Sequence, residues 1–392
     1  MMGFSYLSVC SGIEAISVAW ELLQFKPLAF SEIEKNPCGV LRHHWPDVPN
    51  LGDMQNITQD DFSQRVDVLV GGTPCQAFSF AGKRKSLEDD RGNLSLKFIE
   101  LANALQPSAI LWENVPGVFS TSDNAFGCFL SGIVGEDMPL KPTGGKWTNA
   151  GYVSGPERAA AWRVFDAQYF GIPQRRKRVF VVAAPRDGFD PAEVLFEYEG
   201  MRRDFAPRGP EETSITGTLT ACSFTGDGAG LNNHIAGTIT SSAFIGGAGG
   251  RPEGAAVNHF LPVCALTGTG AGVTGPDDNQ AQAGHLIPVK TFIRQSTFEY
   301  KEGAVAGAVC ARNYKAATDL VCDEANSVRK LMPIECERLQ GFPDDFTRYG
   351  KREDGTEYEL SDTARYKAVG NSMAVPVVKW IGQRLESALS KK

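Results

Sequence analysis

Val66-Asp67-Val68-Leu69-Val70, apolar and β-branched apart from one acid, stops abruptly at Gly71-Gly72-Thr73-Pro74-Cys75-Gln76. The run reads as a buried strand, and two glycines with a proline end it while leaving one thiol on the turn. A functional group at the carboxyl end of a buried strand is the arrangement of open α/β sheets, whose ligands sit beyond the strand ends. The loop that follows carries Lys83, Arg84 and Lys85. A thiol ahead of a basic loop suits a nucleophile that meets an anionic substrate. A structural cysteine packed in a tight turn accounts for the same residues equally well.

The pattern recurs along the chain. Phe4 to Val9 reads as a strand, Cys10-Ser11-Gly12 as a turn, and residues 13–23 as a helix with Ile16, Ala19, Trp20 and Leu23 on one face. The next apolar run, Leu28 to Ser31, delivers Glu32 about twenty residues past Gly12, where dinucleotide-type folds place the acid that accepts ribose hydroxyls. Gly12 is the only glycine in its turn. Two readings stay open: an ordinary α/β turn, or a site for a cofactor without a pyrophosphate. Gly52-Asp53-Met54 adds a further acid. Leu94, Phe98, Leu101, Ala102 and Leu105 form a helical stripe ended by Pro107. The strand Ala109 to Trp112 then brings Glu113-Asn114-Val115-Pro116 to the same edge as Cys75. Residues 120–160 are rich in Gly, Ser, Thr and Pro and read as an irregular excursion. After it, Gln174-Arg175-Arg176-Lys177-Arg178 enters the strand Val179 to Val182. Arg176 and Arg178 alternate, so both can share the cleft face, or the whole stretch is a solvated basic edge.

From about 186 to 327 the character changes to Gly- and Thr-rich runs with a loose repeat, Ile215 to Ala221 against Ile235 to Ser241. Short β-prone runs between glycine turns predict a small β-rich lobe. Between Thr213 and Val289 its only Lys or Arg is Arg251, so any DNA contact there rests on polar readout. A helix is predicted at Pro333 to Gln340, and Gly370-Asn371-Ser372 precedes a final amphipathic segment. The 392 residues suffice for two domains, and 42% hydrophobic with 22% charged residues is a globular composition. Nine scattered cysteines without a CxxC pair, and five histidines, indicate free thiols, a reducing cytoplasm and no metal. No membrane span or secretory signal is predicted. A net charge of −7 argues against nucleic acid except where basic residues cluster, as at Lys83 to Lys85 and Arg175 to Arg178.

Taken together, these motifs resemble the DNA cytosine-C5 methyltransferase family. Pro74-Cys75-Gln76 is similar to its nucleophile motif, Glu113-Asn114-Val115 to its acid motif, and Gln174-x-Arg176-x-Arg178 to its basic motif. The stretch from Arg329 through Leu339-Gln340-Gly341-Phe342-Pro343 resembles the motif supporting the recognition lobe, and Gly370-Asn371-Ser372 the last cofactor motif. All five follow the family's order. The resemblance implies an α/β, Rossmann-like methyltransferase domain with a mostly parallel central sheet and an inserted, smaller β-rich target-recognition domain. Its boundaries would be 1–185 (catalytic), 186–363 (recognition, with the supporting helix 333–343) and 364–392 (returning to the catalytic domain).

The implied cofactor is S-adenosylmethionine, held by the Gly12 and Ile13 backbone, Glu32 (ribose), Ile33 (adenine face), Asp53 and Met54 (adenine edge), Pro74, Leu94, Asn371 and Ser372. Cys75, Glu113, Arg176 and Arg178 would act on a cytosine flipped out of double-stranded DNA. Gln76, Lys83, Arg84, Lys85 and Arg91 would contact that DNA. The resemblance further implies a monomer of bacterial or phage origin, at the nucleoid, with a cognate restriction endonuclease as a separate partner. Cys10 stands where the family usually has Phe, and Glu14 where it has Gly; Met332 and Ile334 replace a common Thr and Arg. Two rivals share this core: a tRNA cytosine methyltransferase, and a catalytically inactive DNA-binding relative.

Overall fold

The computed structural model describes residues 3–73, 94–197 and 331–391 in full, and the backbone of six short strands between 260 and 330. The central sheet has the order β2-β1-β3-β4-β7-β6-β5. Its strands are β1 (Phe4–Val9), β2 (Phe25–Ser31), β3 (Val68–Gly71), β4 (Ala109–Asn114), β5 (Ala150–Ser154), β6 (Arg158–Asp166) and β7 (Lys177–Pro185). β2, β1, β3 and β4 are parallel neighbours. β7 runs antiparallel to both β4 and β6, and β5 antiparallel to β6. Five strands, β1 to β4 and β6, therefore point one way, and the sheet is mostly parallel.

Adjacent strand residues go to opposite faces, as the pleat requires. Tyr6, Val68, Val70, Leu111 and Val182 belong to one apolar layer; Leu7, Leu69, Ile110, Trp112 and Val181 belong to the other. The helix after β1, α1 (Ala15–Trp20), packs into the first layer through Ile16, Ala19 and Trp20. Past the carboxyl end of β3, the chain resumes in α2 (Leu94–Leu105), which packs into the second layer through Phe98 and Leu101. The helices that follow β1 and β3, which are neighbours, thus cover opposite faces. That divergence opens a crevice at their carboxyl ends, the usual ligand position in such sheets.

Two local expectations change. The helix predicted over 13–23 is only α1, because Glu14 caps it in a left-handed conformation (φ 62°) and the chain turns into β2 at Phe25. Residues 120–160 are not irregular: they hold α3 (Ala125–Val134), β5 and the start of β6. Nearly every α3 residue is buried, including Phe126, Phe129, Leu130, Ile133 and Val134. A helix covered on all sides shows no polar face, so no 3.6-residue period was there to read. The wholly buried Arg158 guanidinium donates to the Ala102 carbonyl (3.0 Å) and the Ile133 carbonyl (3.1 Å), near the C-terminal ends of α2 and α3.

The described strands after 260 are antiparallel, a pair (Phe260–Pro262 with Leu286–Pro288) and a four-stranded sheet within 290–330, in keeping with a β-rich insertion. The repeat at 215–241 lies outside the described residues. Next come α4 (Pro333–Gln340), α5 (Asp362–Asn371) and α6 (Val375–Ser390). Leu331, Cys336, Leu339, Phe342, Phe346 and Leu360 share the first apolar layer with Tyr6 and Trp20. The supporting helix, grouped by sequence with the recognition lobe, packs against α5 and shares this apolar layer. Among the described residues, no helix is long and apolar enough to cross a membrane, and no cluster of ligating side chains could hold a metal.

α6 crosses α1 at Gly382. A Cβ there would lie 2.1 Å from the Trp20 indole nitrogen, which donates to the Val378 carbonyl at 2.9 Å. Trp20 is itself locked between Tyr6 and Phe25, with ring centroids 5.3 and 4.4 Å away. Gly382→Ala should therefore lower unfolding free energy by about 1–3 kcal/mol, despite the better helix propensity of alanine. A urea midpoint at or above that of the wild type would show that the propensity gain prevails.

Candidate active site

The crevice is a cleft of about 710 Å³ lined by residues from both ends of the chain. Gly12, Glu32, Ile33, Asp53, Met54, Leu94, Glu113, Arg176, Arg178 and Asn371, all named from sequence, lie on it. Ile13 does not; its side chain is fully buried in the first apolar layer. Ser372 does not line it either, and acts through its carbonyl, as described below. Pro74, Cys75, Gln76, Lys83, Arg84, Lys85 and Arg91 lie outside the described residues.

On one side, the Glu32 carboxylate accepts from the Gly12 N–H (2.8 Å), the Ile33 N–H (2.8 Å) and the Glu34 N–H (2.7 Å). Its own N–H donates to Asn50 Oδ1 at 2.9 Å. Three donors fix both oxygens in place: Oε1 accepts two, and Oε2, which accepts one, keeps lone-pair capacity for a ligand hydroxyl. Ile33 is 71% exposed, an apolar surface on the cleft rim. Gly12 sits at φ +58°, and a Cβ built on it would meet nothing within 4 Å, so it borders open cleft space. Asp53 uses one carboxyl oxygen to cap the Gln55 N–H at 2.9 Å.

Cys10 and Glu14, the two departures from the family pattern, behave differently. Cys10 lines the cleft, and burial, aided by Glu32 and Asp53, pushes its thiol up to about 12, so it stays protonated and reaches Met54 Sδ at 3.6 Å. Glu14 turns inward. Its carboxylate accepts from Ser8 Oγ (2.8 Å), Ser17 Oγ (3.2 Å) and the Ser17 N–H (3.3 Å), beneath the turn and away from the cleft. The left-handed backbone explains why a glycine suits that position.

The other side holds the charged groups. Arg178 Nε donates to Glu113 Oε1 at 3.0 Å, and burial still raises the Glu113 carboxyl above its ordinary value against the opposing pull of Arg178 and Arg176. Arg176, paired with Arg178 by sequence, is placed differently. It is 2% exposed, and Nη2 donates to the carbonyls of Gly370 (3.0 Å) and Ser372 (2.6 Å). It therefore holds the turn that follows Asn371. Gln340 Nε2 donates to the Val369 carbonyl at 3.0 Å beside it. At the rim, Lys367 Nζ and Glu34 Oε2 pair at 2.6 Å between α5 and the β2 turn. Sequence reasoning missed Asn50 and Lys367, and had Gln340 only within the lobe-supporting motif; an isolated amide or lysine carries no signal until the fold gives it a partner.

The family model for C-5 cytosine-specific DNA methylase matches residues 4–194 and 272–387. The chain belongs to that family. The description of that family names C5 of cytosine in DNA. Type II methyltransferase M.HpaII of Haemophilus parainfluenzae is 25% identical, over 97% of this chain and 89% of its own length. A protein of Escherichia phage P1 named DNA N-6-adenine-methyltransferase is 39% identical over all of this chain. The chain spans only 62% of that relative, whose name belongs to the longer protein. A solved E. coli prophage protein described as a DNA modification methyltransferase shares the fold, with a TM-score of 0.55 and 16% identity over 99% of this chain and 100% of its own.

The inward Glu14 has a measurable consequence. Burial raises its carboxyl from 4.5 to about 7 in the folded chain, with Ser8 and Ser17 opposing and Tyr6 facing it. The folded state then binds the proton more tightly, so this contribution to stability is full below about pH 4.5 and is lost as pH rises to about 7. Glu14→Gln keeps the cap but cannot ionise. Its stability should match the wild type near pH 4.5, exceed it increasingly toward pH 7, and level off above. Denaturation curves that run parallel across this range would refute the assignment.

Proposed function

We propose that the chain methylates C5 of cytosine in a short sequence of double-stranded DNA, by a covalent mechanism with Cys75 as nucleophile. The observation that supports this best is Glu113, ion-paired to Arg178 on the cleft with its carboxyl raised above its ordinary value by burial, at the strand end beside the one that leads to Pro74-Cys75. The target base is reached by flipping it out of the duplex, at a cost of a few kcal/mol.

The cleft suits S-adenosylmethionine: a preorganised carboxylate for ribose hydroxyls, an exposed apolar face at Ile33, and open space over Gly12. Asp53, Met54, Leu94 and Asn371 complete its walls. When bound, the cofactor supplies an electrophilic methyl group. The protein does the rest. The Cys75 thiolate adds to C6, which makes C5 enamine-like. Glu113 offers its proton to N3, draining the charge produced by addition. Arg178 holds Glu113 and stabilises the adduct, while Arg176 anchors the Asn371 turn and contributes its charge from behind. Loss of the C5 proton then expels the thiolate. Gln76, Lys83, Arg84, Lys85 and Arg91 serve the DNA backbone and the flipped base in this reading, and a restriction endonuclease acts separately.

Cys75→Ser should abolish incorporation of labelled methyl into duplex DNA yet bind cofactor almost as the wild type does; undiminished incorporation would remove Cys75 from the reaction. Glu32→Ala should weaken cofactor binding by about tenfold, on the scale of a lost charge-assisted hydrogen bond, and leave DNA affinity alone. The name of the phage P1 relative favours one rival, methylation of the adenine amino group. Mass spectrometry of nucleosides from treated DNA separates the two: 5-methylcytosine is expected, and N6-methyladenine alone would overturn the cytosine reading. Activity on tRNA but not on duplex DNA would favour the RNA rival.

A further inference from the structure

Thr73 is the last described residue before Pro74-Cys75, and Ser95 lies in the first turn of α2, where description resumes. Their hydroxyls are hydrogen-bonded at 2.8 Å, and both residues are buried, at 2% and 4% exposure. The Trp112 indole N–H donates to Thr73 Oγ1 at 2.9 Å, and Asn114 Nδ2 donates to the Thr73 carbonyl at 2.9 Å. The two ends of the segment bearing Cys75 are therefore fastened to each other and to β4, the strand that carries Glu113.

We infer that Thr73 is a positioning residue for the nucleophile, its hydroxyl setting the point of departure of Pro74-Cys75 relative to Glu113. The inference rests on the reading of Cys75 proposed above. Its chemistry is specific to a hydroxyl. The indole N–H can only donate, so Thr73 Oγ1 must accept from it, and the same hydroxyl still shares a hydrogen bond with Ser95, in which either oxygen can donate. Valine has the same shape and satisfies neither group. Serine keeps both bonds. Reacting groups tolerate little misplacement, and a shift of about 1 Å can cost on the order of a hundredfold in rate.

The test measures single-turnover methyl transfer to duplex DNA, with cofactor saturating, for wild type and for Thr73→Val, Ser95→Ala and Thr73→Ser. Cofactor dissociation constants come from calorimetry, and folding from circular dichroism. Thr73→Val should slow transfer at least ~10-fold and Ser95→Ala less, with cofactor affinity within ~2-fold and Thr73→Ser close to wild type. A folded Thr73→Val with wild-type transfer would overturn the inference. So would a rate loss matched by an equal loss of cofactor affinity, since Thr73 also borders the cleft, or a loss that serine does not restore. Should Thr73→Val fail to fold, Ser95→Ala decides on the same criteria. Wild type that transfers no methyl to DNA would defeat the proposed function itself, a result distinct from any of these.

Discussion

A buried guanidinium ties the middle of this chain to its C-terminal segment. Arg176 sits just ahead of β7, 2% exposed, and its Nη2 is shared between the carbonyls of Gly370 and Ser372. Burying a cation is costly, and here two carbonyl oxygens accepting from Nη2 and the nearby Glu113 charge offset part of that cost. In consequence the segment after 364 returns to the sheet at one place, and Asn371 reaches a cleft whose opposite wall was laid down by residues 10–54. Arg178, two residues on, is then free to face Glu113. The alternation of two arginines entering a strand thus serves two tasks, one structural and one at the charged end of the cleft.

The cleft is assembled from rigid parts on both sides. Glu32 is fixed by three backbone donors before any ligand arrives. Thr73 is held by β4 and by α2. Such prior fixing reduces what must be ordered when substrates bind, and aims polar groups where charge develops. The inward turn of Glu14 belongs to the same economy of space. An acid in the position of a family glycine would add a charge to the cofactor turn if it pointed outward, but it caps α1 from below instead.

Much of the catalytic half was readable from sequence, because strands buried on both faces are continuous apolar runs and their ends are marked by glycine and proline. β1, β3, β4 and β7 and the acids and basic residues at their ends were placed this way, and the order of five motifs fixed the family. α3 escaped because it is buried all round, and α1 was overextended because a left-handed Glu14 cannot be seen in a string of letters. The supporting helix at 333–340 was found, but its allegiance to the catalytic core was not, since an apolar face does not name the surface it will cover.

What the sequence offered by itself, then, was a set of candidates: one thiol, one acid and a pair of arginines, of which the acid and both arginines line one cleft. Only the tertiary structure decided how the work is divided among them. It separated Arg176 from Arg178 and brought in Asn50 and Lys367. The reason is physical. Strand order and periodicity are local and repeat along the chain, whereas hydrogen bonds between residues almost two hundred positions apart, as from Arg176 to Gly370 and Ser372, exist only once the sheet has closed around them.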